Sequence, residues 1–449
     1  MILALIALSL SAFAKSPKYV FYMIGDGMGI NHAYAAEKYN LATGGEEINF
    51  FHFPVRTFVN TYSANSYVTD SAAGGTALST GTKVNNSAIA MSVDGEPLVS
   101  LAERAKKAGY ATGIVSSTSI TDATPAAFYA KAPRRHMSDT ISAQLIAADV
   151  DFAAGSGFQK ERGSDKDTEY WAAEARKAGI TVFYGKQEYK PCKGRVLMLP
   201  AEGSHGVPVA LDRREGDTRL ADFTAAAIEH LYAKSPKGFF LMVEGAKIDY
   251  GAHSDDAATV IHEVNDFSES VGLVLDFCSK HPNECLVVVV ADHETGGFTM
   301  GDDHYTQRPE LLASQKISKD GLTAELMELQ KRGSDVSWTE VKDLLRSELG
   351  LWDSVEVSDR ESRTLTMLYK EAFLDGDTST EKNLKSANTR LAVEAVDYLD
   401  YQAGFRFITS AHSGAPLGLY VTGVKATDFL GCTENTDVPK TIARIAGYK

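Results

Sequence analysis

Three apolar runs, each ending in an acid, constrain the fold of this chain more than any other feature. They are Tyr19–Ile24 before Gly25-Asp26, Phe239–Val243 before Glu244, and Leu286–Ala291 before Asp292. Unbroken apolar stretches rich in β-branched and aromatic residues read as strands buried on both faces, the usual condition of a parallel sheet. Sites in open α/β sheets form outside the carboxyl ends of the strands, so acids placed just past each run converge on one crevice.

Helical patterns at 98–109, 138–149, 168–179, 218–234 and 257–280 separate these runs from shorter strand candidates at 111–116, 180–183 and 195–199. A further short strand is expected to end at Asp122-Ala123-Thr124-Pro125. Strands alternating with helices are the mark of βαβ units. The expected fold class is therefore α/β, a doubly wound, mostly parallel central sheet with helices on both faces. Charge-rich helical segments with few strand signals fill 303–402. They predict an inserted helical subdomain, leaving 15–302 and 403–449 as the α/β domain.

The net charge of −14 disfavours a nucleic acid polymer as partner, and no basic run is long enough to reverse that. An anionic substrate would need its positive charge from metals. The chain opens with an apolar run ending in Ser11-Ala12-Phe13-Ala14, an A-x-A pattern that predicts a signal peptide over 1–14 cleaved after Ala14. The run is too short for a stable membrane span. A periplasmic or secreted protein follows, and four cysteines fit that oxidising compartment. Cys278 and Cys285 are spaced for a small disulfide loop, with Cys192 and Cys432 left as a second pair; sequence fixes neither connectivity.

The stretch Val68–Ala77 puts Ser71 behind Asp70 and ahead of small residues, at or near a helix N-terminus. Exposed N–H groups there favour anions, so Ser71 reads as a nucleophile, with an Asp-Ser helix cap as the plainer alternative. Asp26 sits inside a tight Gly25-Asp26-Gly27-Met28-Gly29 turn, where an acid would oppose a phosphate unless a cation intervened. Glu244, Asp249 and His253 follow the second run, and the spacing of four places Asp249 and His253 on one side of a helical turn. Asp292-His293 puts two titratable groups straight after the most apolar strand, an expensive placement without partners. His412 completes a possible set of carboxylate and imidazole donors, which suits Zn²⁺, while harder oxygen donors suit Mg²⁺. Asp122 and Thr124 add an acid and a hydroxyl, and Arg134-Arg135 a guanidinium pair able to fork onto phosphate oxygens. His32, His52, His205, His230, His262, His281 and His304 are assigned structural roles.

Taken in order, GDGMG, VTDSAAGGTA, DATPAA, VEGAKIDYGAH, ADHETGG and AHSG closely resemble the motifs of the alkaline phosphatases. The match runs from Tyr19 to Gly301 and resumes near Phe407, leaving the helical insertion uncovered. The resemblance implies a secreted or periplasmic, homodimeric phosphomonoesterase using two Zn²⁺ and one Mg²⁺. By that resemblance Ser71 is the residue phosphorylated in turnover. Asp249, His253 and His412 match the ligands of one zinc, and Asp26, Asp292 and His293 those of the other. Asp26, Thr124 and Glu244 match the magnesium ligands, and Asp122 the residue holding that ion through water. Arg135 lies at the phosphate-clamping distance from DATP, with Arg134 the alternative. Tyr250 departs from relatives carrying a lysine after the metal-binding aspartate. Small-molecule phosphate monoesters are the implied substrates. The alternatives are a phosphodiesterase or sulfatase of the same superfamily, or a nonenzymatic metal-binding protein. A sulfatase would want S-x-P-x-R, whereas Ser71 is followed by Ala-Ala-Gly-Gly.

Overall fold

The computed structural model describes residues 16–204, 206–301, 305–332, 335–374 and 381–449. The expected leader at 1–14 with its cleavage point, the start of the insertion at Asp303, and His205 and His304 lie outside the described residues.

The main strands are β1 (Tyr19–Gly25), β2 (Val55–Val59), β3 (Ala111–Ser116), β4 (Phe152–Ala154), β5 (Thr181–Tyr184), β6 (Val196–Leu199), β7 (Phe239–Gly245) and β8 (Cys285–Val290). Four two-residue strands follow, β9 (Glu294–Thr295), β10 (Thr299–Met300), β11 (Phe405–Arg406) and β12 (His412–Ser413), and then β13 (Leu417–Gly423). One nine-stranded sheet takes the order β2-β13-β8-β1-β7-β3-β4-β6-β5, and β13 alone runs opposite to the other eight strands. The three apolar runs are thus adjacent at its centre. Ile24 lies opposite Glu244 on one side and Val290 on the other, which brings Asp26, Glu244 and Asp292 to one rim. Every residue of β1, β7 and β8 is buried, as helices on both faces require.

The strand expected to end at Asp122 is absent. β3 stops at Ser116, and Asp122 instead caps the short helix Ala123–Ala126, its Oδ1 accepting the Ala123 N–H at 2.7 Å. A carboxylate that captures a backbone donor starts a helical turn where apolar neighbours alone suggest a strand.

Between β10 and β11 lie the helices Lys319–Gln330, Trp338–Leu349, Asp359–Phe373 and Glu381–Ala403. They attach to the sheet domain at the N-terminus of helix Ala257–Lys280. There fully buried Asp256 accepts from Lys319 N (2.8 Å) and Gln315 Nε2 (2.9 Å), while Asp400 accepts the Ala257 N–H at 3.0 Å. No helix among the described residues is long and apolar enough to cross a membrane.

All four cysteines are free thiols, against the expected bridges. Cys278 and Cys285 do face one another, and the hydrogen bond between their thiols together with burial pushes the Cys285 thiol up. Cys192 lies beside Tyr189 near β6, whereas Cys432 lies near Tyr22 of β1, four strands away across the sheet. At roughly 4.8 Å per strand, that separation is far too wide for a bridge.

Candidate active site

The helix Ser71–Thr80 begins at the crevice, and a cap at Asp70 is compatible with a free hydroxyl at Ser71. Asp70 is the cap: its Oδ1 accepts the Ala73 N–H at 3.0 Å and its Oδ2 the Ser87 N–H at 2.9 Å. That leaves Ser71, the first helical residue and 4 % exposed, with its Oγ 3.0 Å from His293 Nε2. The helix reaches this depth because Gly74 packs on the Asp292 backbone and Gly75 on Thr124, with no side chain to intervene.

The same nitrogen of His293 lies 3.4 Å from Asp26 Oδ1 and 3.4 Å from Asp292 Oδ2. Gly27 has φ +71° and presses against Asp249, so the glycine turn lets two protein segments meet around Asp26. Asp249 and His253 occupy the helix Lys247–His253 with Oδ2 and Nε2 3.3 Å apart, and His253 Nε2 lies 3.1 Å from His412 Nε2. His412 arrives on β12, and its Nε2 is 3.8 Å from Asp249 Oδ1.

Two triads among the described residues hold all their donor atoms within 4.8 Å, Asp26/Asp292/His293 and Asp249/His293/His412. The first is the set expected from sequence. The second joins Asp249 and His412 to His293, whose ring stacks on that of His412 with centroids 3.6 Å apart, while His253 keeps its contacts of 3.3 Å to Asp249 and 3.1 Å to His412.

Thr124 and Glu244 join from the other side. Thr124 Oγ1 donates to Asp292 Oδ2 at 3.3 Å, and Glu244 accepts from Ser116 Oγ. Arg135 donates to Asp122 Oδ1 at 3.0 Å and lies 3.7 Å from Asp70, whereas Arg134 is exposed. Tyr250 shares a hydrogen bond with Thr118 Oγ1 at 3.1 Å.

Crowding acids in a dry crevice disfavours their charged forms. Burial pushes Asp26 far above the usual carboxylate range, and the charges of Asp292 and Asp249 add to the effect. Burial also raises Glu244 to about 8, against the hydrogen bond from Ser116, and raises Asp292 to about 7 with help from Asp249. Asp249 goes the other way: burial would lift it, but the His253 hydrogen bond and the nearby imidazoles hold it well below the usual range. The same hydrogen bond raises His253 to about 9. Burial, then His412, pushes His293 well below the usual imidazole value and keeps it a neutral donor of a lone pair.

Within the crevice, the buried carboxyl oxygens Asp26 Oδ1 and Glu244 Oε1 have no hydrogen-bond partner. Orphaned carboxyl oxygens beside neutral imidazole nitrogens fit divalent cations, whose charge would favour the ionised carboxylates: oxygen and nitrogen around Zn²⁺, and oxygen alone around Asp26, Thr124 and Glu244 for Mg²⁺.

Sequence reasoning missed the residues that brace these donors. Thr295 Oγ1 bonds both Asp249 and His293. Glu294 accepts from the Phe298 N–H at 3.0 Å and from Ser413 Oγ. The available signal was spacing: Thr295 is two residues past His293, hence on the same side of an extended chain.

A family model described as alkaline phosphatase matches residues 17–448. Alkaline phosphatase 4 of Bacillus subtilis is 31% identical over 442 residues, spanning 95% of this chain and 88% of that protein. The cold-active alkaline phosphatase of a psychrophilic Shewanella superposes with a TM-score of 0.78 at 26% identity, covering 95% of this chain and 99% of the other. A histidine-to-aspartate variant of TAB5 alkaline phosphatase, with Mg bound in its M3 site, superposes at 0.66 with 26% identity, covering 97% and 99%. Sheet, crevice and donor set thus coincide with a family match over nearly the whole chain, which belongs to the alkaline phosphatase family and is a phosphatase hydrolase.

Proposed function

We propose that this chain hydrolyses phosphate monoesters through a phosphoserine at Ser71, with two zinc ions and one magnesium in the crevice. The observation that carries the reading is Ser71 Oγ at 3.0 Å from His293 Nε2, inside a buried cluster whose carboxylate oxygens are partly orphaned. Asp249, His253 and His412 would hold one zinc, and Asp26, Asp292 and His293 the other. Asp26, Thr124 and Glu244 would hold the magnesium, with Asp122 acting through water; magnesium in the TAB5 variant supports that ion. Bound there, the cations supply the positive charge that a protein of net −14 otherwise lacks and stabilise the attacking and departing oxygens.

Ser71 Oγ attacks phosphorus, giving up its proton, as the bond from phosphorus to the alcohol oxygen breaks. The alcohol leaves with a proton, and phosphorus stays on Ser71. Water then attacks phosphorus from the vacated side, the bond to Oγ breaks, and inorganic phosphate departs as Ser71 regains its proton. The helix N-terminus beneath Ser71 favours the anionic group in both steps. Arg135, oriented by Asp122 and Asp70, presents two N–H groups to nonbridging oxygens. Its fork grips only the phosphoryl group, so the alcohol is free to vary. Export past a leader at 1–14 and a homodimeric assembly complete the reading.

The test is hydrolysis of a chromogenic aryl phosphate at alkaline pH by purified protein before chelation, after it, and after return of Zn²⁺ with Mg²⁺. Loss and recovery of turnover, with little hydrolysis of the matching diester or sulfate, are expected. Turnover indifferent to chelation, or a preference for diester or sulfate, would overturn the proposal.

A further inference from the structure

Thr295 is wholly buried on β9, and its hydroxyl has two neighbours drawn from different parts of the crevice. Asp249 Oδ1 lies 2.5 Å away and His293 Nδ1 3.2 Å away. Its main chain is equally committed: the N–H donates to Gly27 O at 3.2 Å, and β9 pairs Thr295 with His412. One residue therefore touches the glycine turn beside Asp26, the carboxylate of Asp249, the imidazole of His293 and the strand that delivers His412.

The proton inventory gives these contacts a direction. An ionised carboxylate only accepts, so the single hydroxyl proton of Thr295 points to Asp249. The oxygen then faces His293 Nδ1 with a lone pair, and that contact is a hydrogen bond only if Nδ1 carries the proton. The other nitrogen, Nε2, which lies 3.0 Å from Ser71 Oγ and 3.4 Å from Asp26 Oδ1 and Asp292 Oδ2, is left with its lone pair free for the Ser71 hydroxyl proton or a cation. The opposite tautomer would set two lone pairs against each other at Nδ1 and aim an N–H at the place where a cation is needed.

We infer that Thr295 is a positioning residue for both ligand clusters: its hydroxyl fixes His293 in the Nδ1–H tautomer while orienting the Asp249 carboxylate. The inference rests on the proposed cation-binding role of these residues. Neither Thr295 nor its neighbour Glu294 is assigned a contact with substrate; both act from behind the ligands. Residues that orient ligands from behind typically alter metal affinity by about 10- to 100-fold when removed.

Two measurements separate this role from simple packing. The first is the nitrogen spectrum of labelled His293 in the metal-free wild-type protein at a pH where the ring is neutral, which needs no variant. A protonated Nδ1 with an unprotonated Nε2 is expected, and the reverse tautomer would overturn the inference whatever the protein's metal content. The second is Zn²⁺ affinity by chelator competition for wild type, Thr295→Val and Thr295→Ser. Valine keeps the shape and removes the hydroxyl; serine keeps the hydroxyl and removes the methyl. Affinity should fall at least tenfold in the valine variant and return to within about threefold of wild type in the serine variant. Equal affinity in all three proteins, or equal loss in both variants, would overturn the inference. Failure of the wild type itself to bind zinc would instead defeat the cation-binding proposal, and the tautomer would still decide the part played by Thr295.

Discussion

Replacing Gly74 by alanine sets a gain in helix propensity against a clash at the crevice, and the contact distances there decide the sign. Alanine is favoured over glycine inside a helix by roughly 1 kcal/mol. A Cβ on Gly74 would, however, fall 2.8 Å from the Asp292 carbonyl oxygen and 3.1 Å from its Cβ. Carbon–oxygen contacts settle at about 3.3 Å or beyond, so helix and strand end must separate by roughly half an ångström. Neither can yield by turning a side chain. Overpacking of this kind costs about 1–3 kcal/mol, which offsets the propensity gain and leaves a net loss of up to about 2 kcal/mol. Ser71 lies about one turn back on the same helix, and Asp292 belongs to the cluster it faces. A displacement of about 1 Å can cost about 100-fold in rate, so half of that implies roughly tenfold. Gly74→Ala should therefore lower kcat for an aryl phosphate about tenfold and leave Tm unchanged or reduced. Wild-type kcat with a raised Tm, as propensity alone requires, would refute the reasoning.

Arg135→Lys should lower kcat/KM about 10- to 150-fold, the equivalent of about 1.5–3 kcal/mol for forked charge-assisted hydrogen bonds, while Arg134→Ala should stay within about twofold of wild type. Steady-state kinetics on both variants separates the two arginines. Metal-free protein should lose stability as pH rises, because Asp292 at about 7 and Glu244 at about 8 are raised by burial and ionise in the unfolded chain first. Cations require the ionised forms, so the Tm increase produced by Zn²⁺ and Mg²⁺ should be larger at pH 9 than at pH 6; an equal shift would contradict this. Glu263, raised by burial and by Asp266 from 4.5 to about 7, penalises the native state increasingly as pH rises between those values. Urea unfolding of Glu263→Gln should show it gaining about 3 kcal/mol on wild type between pH 4 and 8, with no change in the difference counting against the assignment.

The centre of the fold was legible because burial on both faces leaves a plain mark in sequence: β1, β7 and β8 are unbroken apolar runs, and they proved adjacent. The flank was less so. β2 reads Val-Arg-Thr-Phe-Val with an exposed arginine at the sheet edge, and β4 has only three residues, so neither run is long or apolar enough to register. Asp122 misled because its capping bond to Ala123 is a local side-chain event that apolar periodicity does not record. In the crevice, acids and imidazoles stood out by their cost of burial after apolar strands. Thr295 did not, since a threonine in a strand is ordinary and its two partners, Asp249 and His293, meet only in three dimensions. The choice between Arg134 and Arg135 likewise needed Asp122 and Asp70 in space.

The central claim is that phosphorus passes through Ser71. It is tested most directly by mixing the metal-loaded protein with substrate, quenching in acid, digesting it and sequencing the labelled peptide by mass spectrometry. Phosphate on Ser71, within Val68–Ala77, and no label in Ser71→Ala are expected. Label on another residue, or sustained turnover by Ser71→Ala at the wild-type rate, would contradict it.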